Sequence, residues 1–160
     1  MVLLVTENMK MISLREAVKE DRSVVVEFDY NLDKVEHIEL RRAEKITKAI
    51  LDKACFILLA DDTAVGFLLF DYRFFDQGWI DLIVLEERFR GKGIGAQAIN
   101  LICQQSKAHK VFTSTNSSNI QMQRALTKAG FSYAGKIIGL DDGDPELFYY
   151  KKTDNRKPKN

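Results

Sequence analysis

Apolar residues recur along the chain with two periods. Val35, Ile38, Ala43, Ile46, Ala49 and Ile50 fall at helical spacing, with Glu44 and Lys48 four apart, which predicts a helix. Residues 18–30 predict an earlier helix, although the β-branched run Val24-Val25-Val26 opposes it. Ile12–Arg15 predicts a short strand. Cys55–Ala60 and Ala64–Tyr72 are apolar runs around Asp61-Asp62-Thr63, which predicts a hairpin with a three-residue loop. Asp76-Gln77-Gly78 breaks the pattern before a third run, Trp79–Leu85, rich in β-branched and aromatic residues. Ile94, Ala98, Leu101 and Ile102 share one helical face. Lys110–Thr115 alternates as a strand does. Ser117, Ser118 or Asn119 can cap a helix whose Met122, Ala125, Leu126 and Ala129 share a face and which Gly130 ends. Phe131–Ile138 and Leu147–Lys151 predict two last strands around the loop 141–145. The order predicts an α/β fold, a mixed sheet with helices on its faces.

Length adds that one domain is present. The chain has 160 residues, 46% of them hydrophobic and 29% charged, which fits a folded globular domain. Met9 and Met11 suggest residues 1–10 as a loose extension and 11–152 as the domain. Residues 153–160 carry no apolar side chain, cannot offset the entropy of ordering, and are expected to be a disordered basic tail.

Charge excludes some partners. The formal net charge is +1, which does not suit a dedicated nucleic-acid binder. The last ten residues hold five bases and one acid, so the rest of the chain is net −3. No apolar run approaches the roughly 20 residues that span a bilayer, and Met1-Val2-Leu3-Leu4-Val5 is too short for a signal-peptide core. Two cysteines, Cys55 and Cys103, lie among apolar residues and read as buried thiols rather than a disulfide framework. His37 and His109 are far apart without paired cysteines, so no metal site is expected. A cytoplasmic location follows.

Candidate chemistry centres on Arg90-Gly91-Lys92-Gly93-Ile94-Gly95, which joins a strand to a helix. Glycines let a ligand approach the backbone, and a helix N-terminus offers unpaired N–H groups and partial positive charge. Together they suit a phosphate or pyrophosphate, with Arg88, Arg90 and Lys92 adding cations. The spacing is neither that of a Walker A loop nor that of a dinucleotide fingerprint.

With its context, this segment resembles the GCN5-related N-acetyltransferase (GNAT) superfamily. Arg90-x-x-Gly93-x-Gly95 is similar to that family's acetyl-CoA motif. Ile83-Val84-Leu85-Glu86-Glu87-Arg88-Phe89 looks like its cofactor-binding strand and exit. Asn119, followed eleven residues later by Gly130-Phe131, resembles its second landmark, and Ser13–Ala17 with Asp21 its opening strand. The resemblance covers residues 11–152. It implies a sheet splayed between Trp79–Leu85 and Lys110–Thr115. Backbone groups of Ile83, Val84 and Leu85 would pair with the pantetheine arm. The amides of Arg90, Gly91, Lys92, Gly93, Ile94 and Gly95 would hold the pyrophosphate, with Asn119 beside the pantetheine. It further implies direct transfer of an acetyl group from acetyl-CoA to a primary amine of a small molecule or peptide, a backbone N–H near Leu85 polarising the carbonyl. A homodimer is compatible with it.

The match departs from the pattern at one place. Many members carry a tyrosine seven residues after the asparagine as general acid; this chain has Leu126 there. That favours an alternative, a non-catalytic CoA-binding regulatory module. Asp81 is the candidate general base, in an aromatic setting with Trp79, Phe67, Phe74 and Phe75; strand alternation puts Trp79, Asp81 and Ile83 on one face and Leu82 and Val84 on the other. Glu27 is a second candidate base, and the acidic loop 141–146 a candidate attractor for a cationic amine, each weaker than its reading as ordinary surface.

Overall fold

A computed structural model describes residues 10–30 and 36–154, with side chains from 36 to 40 excepted. Residues 1–9 of the expected extension and most of the expected tail lie outside the described residues, as do Val35 and the side chain of Ile38.

Seven strands and four helices alternate in the expected order. They are β1 (Ile12–Glu16), α1 (Arg22–Tyr30), α2 (Glu36–Leu51), β2 (Cys55–Ala60), β3 (Thr63–Phe74), β4 (Gln77–Leu85), α3 (Ile94–Gln105), β5 (Lys110–Asn116), α4 (Ile120–Lys128), β6 (Ser132–Ile137) and β7 (Glu146–Lys152). One mixed sheet runs β1-β2-β3-β4-β5-β7-β6. The first earlier helix begins as a short 3-10 turn at Lys19–Asp21, ahead of the β-branched run. No described helix is long and apolar enough to cross a membrane.

Both hairpin loops are tighter than expected. Asp61-Asp62 and Phe75-Asp76 are two-residue turns in which every residue has positive φ, between 49° and 63°. This is the left-handed geometry that matches strand twist. Neither turn contains glycine, so the usual signal is missing and Thr63 looked like loop. At the far end, Thr153 is not loose: its N–H donates to His109 O at 2.8 Å and its hydroxyl to Ala108 O at 2.5 Å.

The two faces of the sheet carry different helices. On one, Cys55, Ile57, Phe67, Leu69 and Val84 pack against Val25 of α1 and Ile46, Ala49 and Ile50 of α2. On the other, Leu68, Phe70, Ile80, Val111 and Tyr149 pack against Ala96, Ile99 and Ile102 of α3 and Leu126 of α4. Each fully buried large apolar side chain contributes about 1.5–3 kcal/mol, so these two layers set the strand positions.

β4 carries an irregularity that shapes everything near it. Leu69 of β3 lies opposite Leu82, but Phe70 lies opposite Ile80, which leaves Asp81 as an extra residue. Such a bulge reverses the side-chain alternation beyond it. Ile80 and Ile83 therefore both pack toward α3, while Leu82 and Val84 pack toward α1 and α2. The alternation expected from sequence fails here: Asp81 lies with Leu82 and Val84 on the α2 side, not with Ile83, because the bulge inserts between them.

β4 and β5 are parallel and pair only over Gly78–Ile80 and Val111–Thr113. The last clasp is the Thr113 hydroxyl, which donates to Ile80 O at 2.8 Å. Beyond it β4 loses its neighbour, so residues 81–85 form an open edge and the sheet is splayed.

Candidate active site

The backbone of that open edge has a definite direction. Glu86 N–H donates to Val65 O of β3 at 2.8 Å, and the Val84 carbonyl oxygen sits 2.0 Å from where a Cβ on Gly66 would stand. Val84 and Glu86 thus aim their polar groups at β3. Polar groups alternate sides along a strand, so Ile83 and Leu85 aim theirs outward, where β5 has left. Val84, expected with them, is not: its carbonyl faces β3 and its side chain is buried on the α2 face. Only a glycine at 66 tolerates the approach of Val84 O.

The strand exit leads to the glycine-rich turn. Arg90 N–H still closes a short turn onto Glu87 O, but among the described residues no backbone carbonyl accepts from the N–H groups of 91–96, and Gln97 makes the first helical bond, to Gly93 O. Gly93 caps α3 with φ 79°, in the left-handed region. A Cβ there would lie 2.9 Å from Lys128 Nζ. The turn is therefore a cradle of unpaired donors at a helix N-terminus, a geometry that suits an anion.

The expected cations part company. Arg90 faces the cradle and is anchored through Nε to Leu85 O at 2.9 Å. Arg88 is exposed, paired with Glu86 at 2.7 Å and set against the Phe89 ring, and does not line the cleft that adjoins the turn. Lys92 is exposed and its side chain does not line the cleft, and the Ile94 side chain is buried in the core under α3.

Between the open edge, the turn and α4 lies a cleft of about 460 Å³. Its strand wall is Leu82, Ile83 and Leu85; its turn wall is Arg90, Gly91, Gly93 and Gly95; Ala96 and Ile99 of α3 form the floor. α4 closes it with Asn119, Gln121, Met122, Arg124, Ala125 and Lys128. Asn119 caps α4, its Oδ1 accepting from Met122 N–H at 3.1 Å, so the cap and the cleft wall are one residue. Gln121, Arg124 and Lys128 were not singled out in the sequence. Their spacing of three and four was the available signal, since it puts all three on one helix face, beside the apolar one.

Leu126 lies in the core beneath this wall, fully buried, and does not line the cleft. Tyr149 is buried in the same core, while Tyr133 is exposed. No described residue lining the cleft has a hydroxyl or a carboxylate.

Acidic groups sit elsewhere. Asp81 Oδ2 pairs with Lys45 Nζ at 2.6 Å, and Trp79 Nε1 donates to Asp81 Oδ1 at 3.3 Å. Asp81 opens on a second cavity of about 300 Å³ on the α2 side. Leu82 lines both spaces, so the two adjoin at that residue. Trp79 stacks on Phe74, 4.6 Å between centroids, and faces Phe148 at 6.1 Å. Glu27 is exposed on α1 and lines neither cavity. The acidic loop is a staple. Asp144 accepts from both the Ser117 and Ser118 hydroxyls and from Ser118 N–H, and Asp141 accepts from Asn116 Nδ2. These bonds hold the Asp144 carboxyl below its ordinary 3.8.

Both cysteines are buried, and burial pushes the Cys55 thiol up to about 12 and the Cys103 thiol to about 11. Neither is a nucleophile at neutral pH. Among the described residues no group of three or more His, Cys, Asp or Glu could hold a metal ion.

Comparison with known proteins gives the family. Residues 15–131 match the model of the acetyltransferase (GNAT) family. An acetyltransferase of the GNAT family from Bacillus cereus ATCC 10987 is 30% identical, with 89% of this chain and 98% of that chain covered and a TM-score of 0.81. An aminoglycoside acetyltransferase solved with coenzyme A has the same fold at 17% identity, with 89% and 95% covered and a TM-score of 0.70. So does yncA of Salmonella typhimurium, solved with its cofactor acetyl-CoA, at 15% identity, 91% and 95% covered and a TM-score of 0.68. No curated protein sequence matches significantly.

Proposed function

The chain belongs to the GNAT family of acetyltransferases, and from that premise we propose that it moves the acetyl group of acetyl-CoA onto a primary amine of a small molecule or peptide by direct attack. The observation that carries this reading is the open edge of β4. Among the described residues the Ile83 backbone groups and the Leu85 N–H are unpaired and face a cleft whose far end is the donor cradle at residues 91–96, while Leu85 O is held by Arg90 Nε. An extended pantetheine arm would add to that edge as a strand adds to a sheet. The cradle, with Arg90, Arg124 and Lys128, suits the phosphates.

Acetyl-CoA supplies an acetyl group already activated as a thioester. Leu85 N–H would donate to its carbonyl oxygen and stabilise the negative charge that builds there. The amine nitrogen forms the new C–N bond as the C–S bond breaks. CoA thiolate is a good leaving group, so the missing hydroxyl at Leu126 does not forbid the reaction. Asp81, across Leu82 from the cleft, is the proposed proton acceptor, with Trp79 holding its orientation. The mechanism requires no metal. Two buried free thiols fit a reducing, cytoplasmic setting.

Release of free CoA thiol from acetyl-CoA with a panel of amines tests the reading. Amine-dependent release that falls in Asp81→Asn supports it. The buried Leu126 favours one other reading, a CoA-binding module without turnover; tight cofactor binding with no release on any amine supports that one instead.

A further inference from the structure

The cavity on the α2 side of β4 has walls of both signs. Arg42, Lys45 and Asp81 line it over an apolar floor of Ile46, Leu69 and Leu82. At about 300 Å³ it suits a small ligand, at the lower end of such sites. Arg42 is fixed at the wall: its guanidinium pairs with Asp29 Oδ1 at 3.1 Å, and that carboxylate is itself buried. Lys45 is half exposed, and its ammonium rests on Asp81. A pair this exposed is weak and exchangeable.

The arrangement has the charge pattern of a bound zwitterion. Lys45 Nζ holds the place on Asp81 that an amine substrate's ammonium would take. We propose that the acceptor is a small amine carrying its own carboxylate, an amino-acid-like compound. Its ammonium displaces Lys45 from Asp81, and its carboxylate meets Lys45 and Arg42. This rests on the transfer reading given above and names the substrate class for it.

Among the described residues the walls carry Asp81, Lys45 and Arg42, the last paired with Asp29, so a polycationic acceptor that takes Asp81 meets the displaced Lys45 as a like charge. An amine that brings a carboxylate pairs with both signs at once. The step balances. The acceptor ammonium gives one proton to Asp81, and its nitrogen forms the C–N bond as the C–S electron pair leaves on sulfur. The second proton of the nitrogen goes to the thiolate, and Asp81 returns its own to solvent.

The test compares the common amino acids with their amides, with isopentylamine and with spermidine. Thiol release gives kcat/KM. Equilibrium titration into the CoA-saturated protein gives affinity apart from turnover. The best amino acids are expected to exceed their own amides by about tenfold or more in both measurements. Lys45→Gln should erase that preference by raising KM for the amino acid and not for isopentylamine. Arg42→Lys, which keeps the charge on Asp29, should reduce it in part. Spermidine or the amides matching every amino acid overturns the inference, as does an unchanged preference in Lys45→Gln. If no amine releases thiol, the transfer reading fails. The titration then decides this one alone: amino acids binding more tightly than their amides uphold it, and equal binding overturns it.

Discussion

Arg90 donates through Nε to the carbonyl oxygen of Leu85 at 2.9 Å. The bond ties the anion cradle to the last residue of the open strand edge. Two parts of the site that are five residues apart in sequence thus hold a fixed relation. Arg90→Gln should weaken acetyl-CoA binding about tenfold, the scale of one lost charge-assisted hydrogen bond. Arg90→Lys should not restore it, because lysine has no donor at the Nε position. Calorimetric titration with acetyl-CoA checks both.

Gly93 stands at φ 79° with Lys128 Nζ against the space its side chain would fill. Gly93→Ala should cost about 1–2 kcal/mol of backbone strain, which lowers the melting temperature by a few degrees. It should also shrink the thermal shift given by acetyl-CoA. Gly93→Glu should abolish that shift by putting a carboxylate where phosphate is expected.

Arg124 and Lys128 line the cleft from α4 and carry no part of the recognised motif. Lys128→Ala should raise Kd for acetyl-CoA several-fold and leave KM for the amine alone. The double variant with Arg124→Ala should also flatten the salt dependence of cofactor binding, since both act as charges. Titrations at low and high salt separate these outcomes.

Burial holds the Cys55 and Cys103 thiols at about 12 and about 11. The native protein should resist iodoacetamide at pH 8 and label at both positions once unfolded. Cys103→Ala should retain acetyl transfer, consistent with direct attack and no thioester on the enzyme. Mass spectrometry after timed labelling checks the first point.

Asp144 is held below 3.8 chiefly by the two serine hydroxyls at 117 and 118. A carboxyl depressed in the folded state stabilises fully above its unfolded value. That stabilisation fades as pH falls below 3.8 toward the lower native value. Asp144→Asn should therefore flatten the loss of melting temperature between pH 5 and pH 3. The same variant should loosen the β5–α4 connection that carries Asn119.

Much of the fold was legible because it rests on local pattern. Ile94, Ala98 and Ile102 face the core as their spacing required, and Asn119 caps α4 through its own side chain. The cradle was legible because glycine at 93 has a backbone reason to be there. The bulge at Asp81 was not, since it arises from how β3 and β4 register around two packed cores, and no residue type announces it. For the same reason the direction of Val84 was hidden. Arg124 and Lys128 were missed because charges on an amphipathic helix look like solvent-facing surface until another element approaches. The acidic loop read as ordinary polar surface, with a ligand attractor as the weaker reading, and its role as a staple was hidden because hydrogen-bond partners 25 or more residues away leave no local trace.

Acetyl-CoA is expected to lie along the open edge of β4 with its thioester at Leu85. A crystal structure of the acetyl-CoA complex measures this directly. Pantetheine is expected to pair with the backbone of Ile83, the pyrophosphate oxygens to sit on the amides of 91–96, and the thioester oxygen to lie within hydrogen-bond distance of Leu85 N–H. A cofactor bound away from that edge, or a β4 edge left without a bound partner at saturating acetyl-CoA, would contradict it.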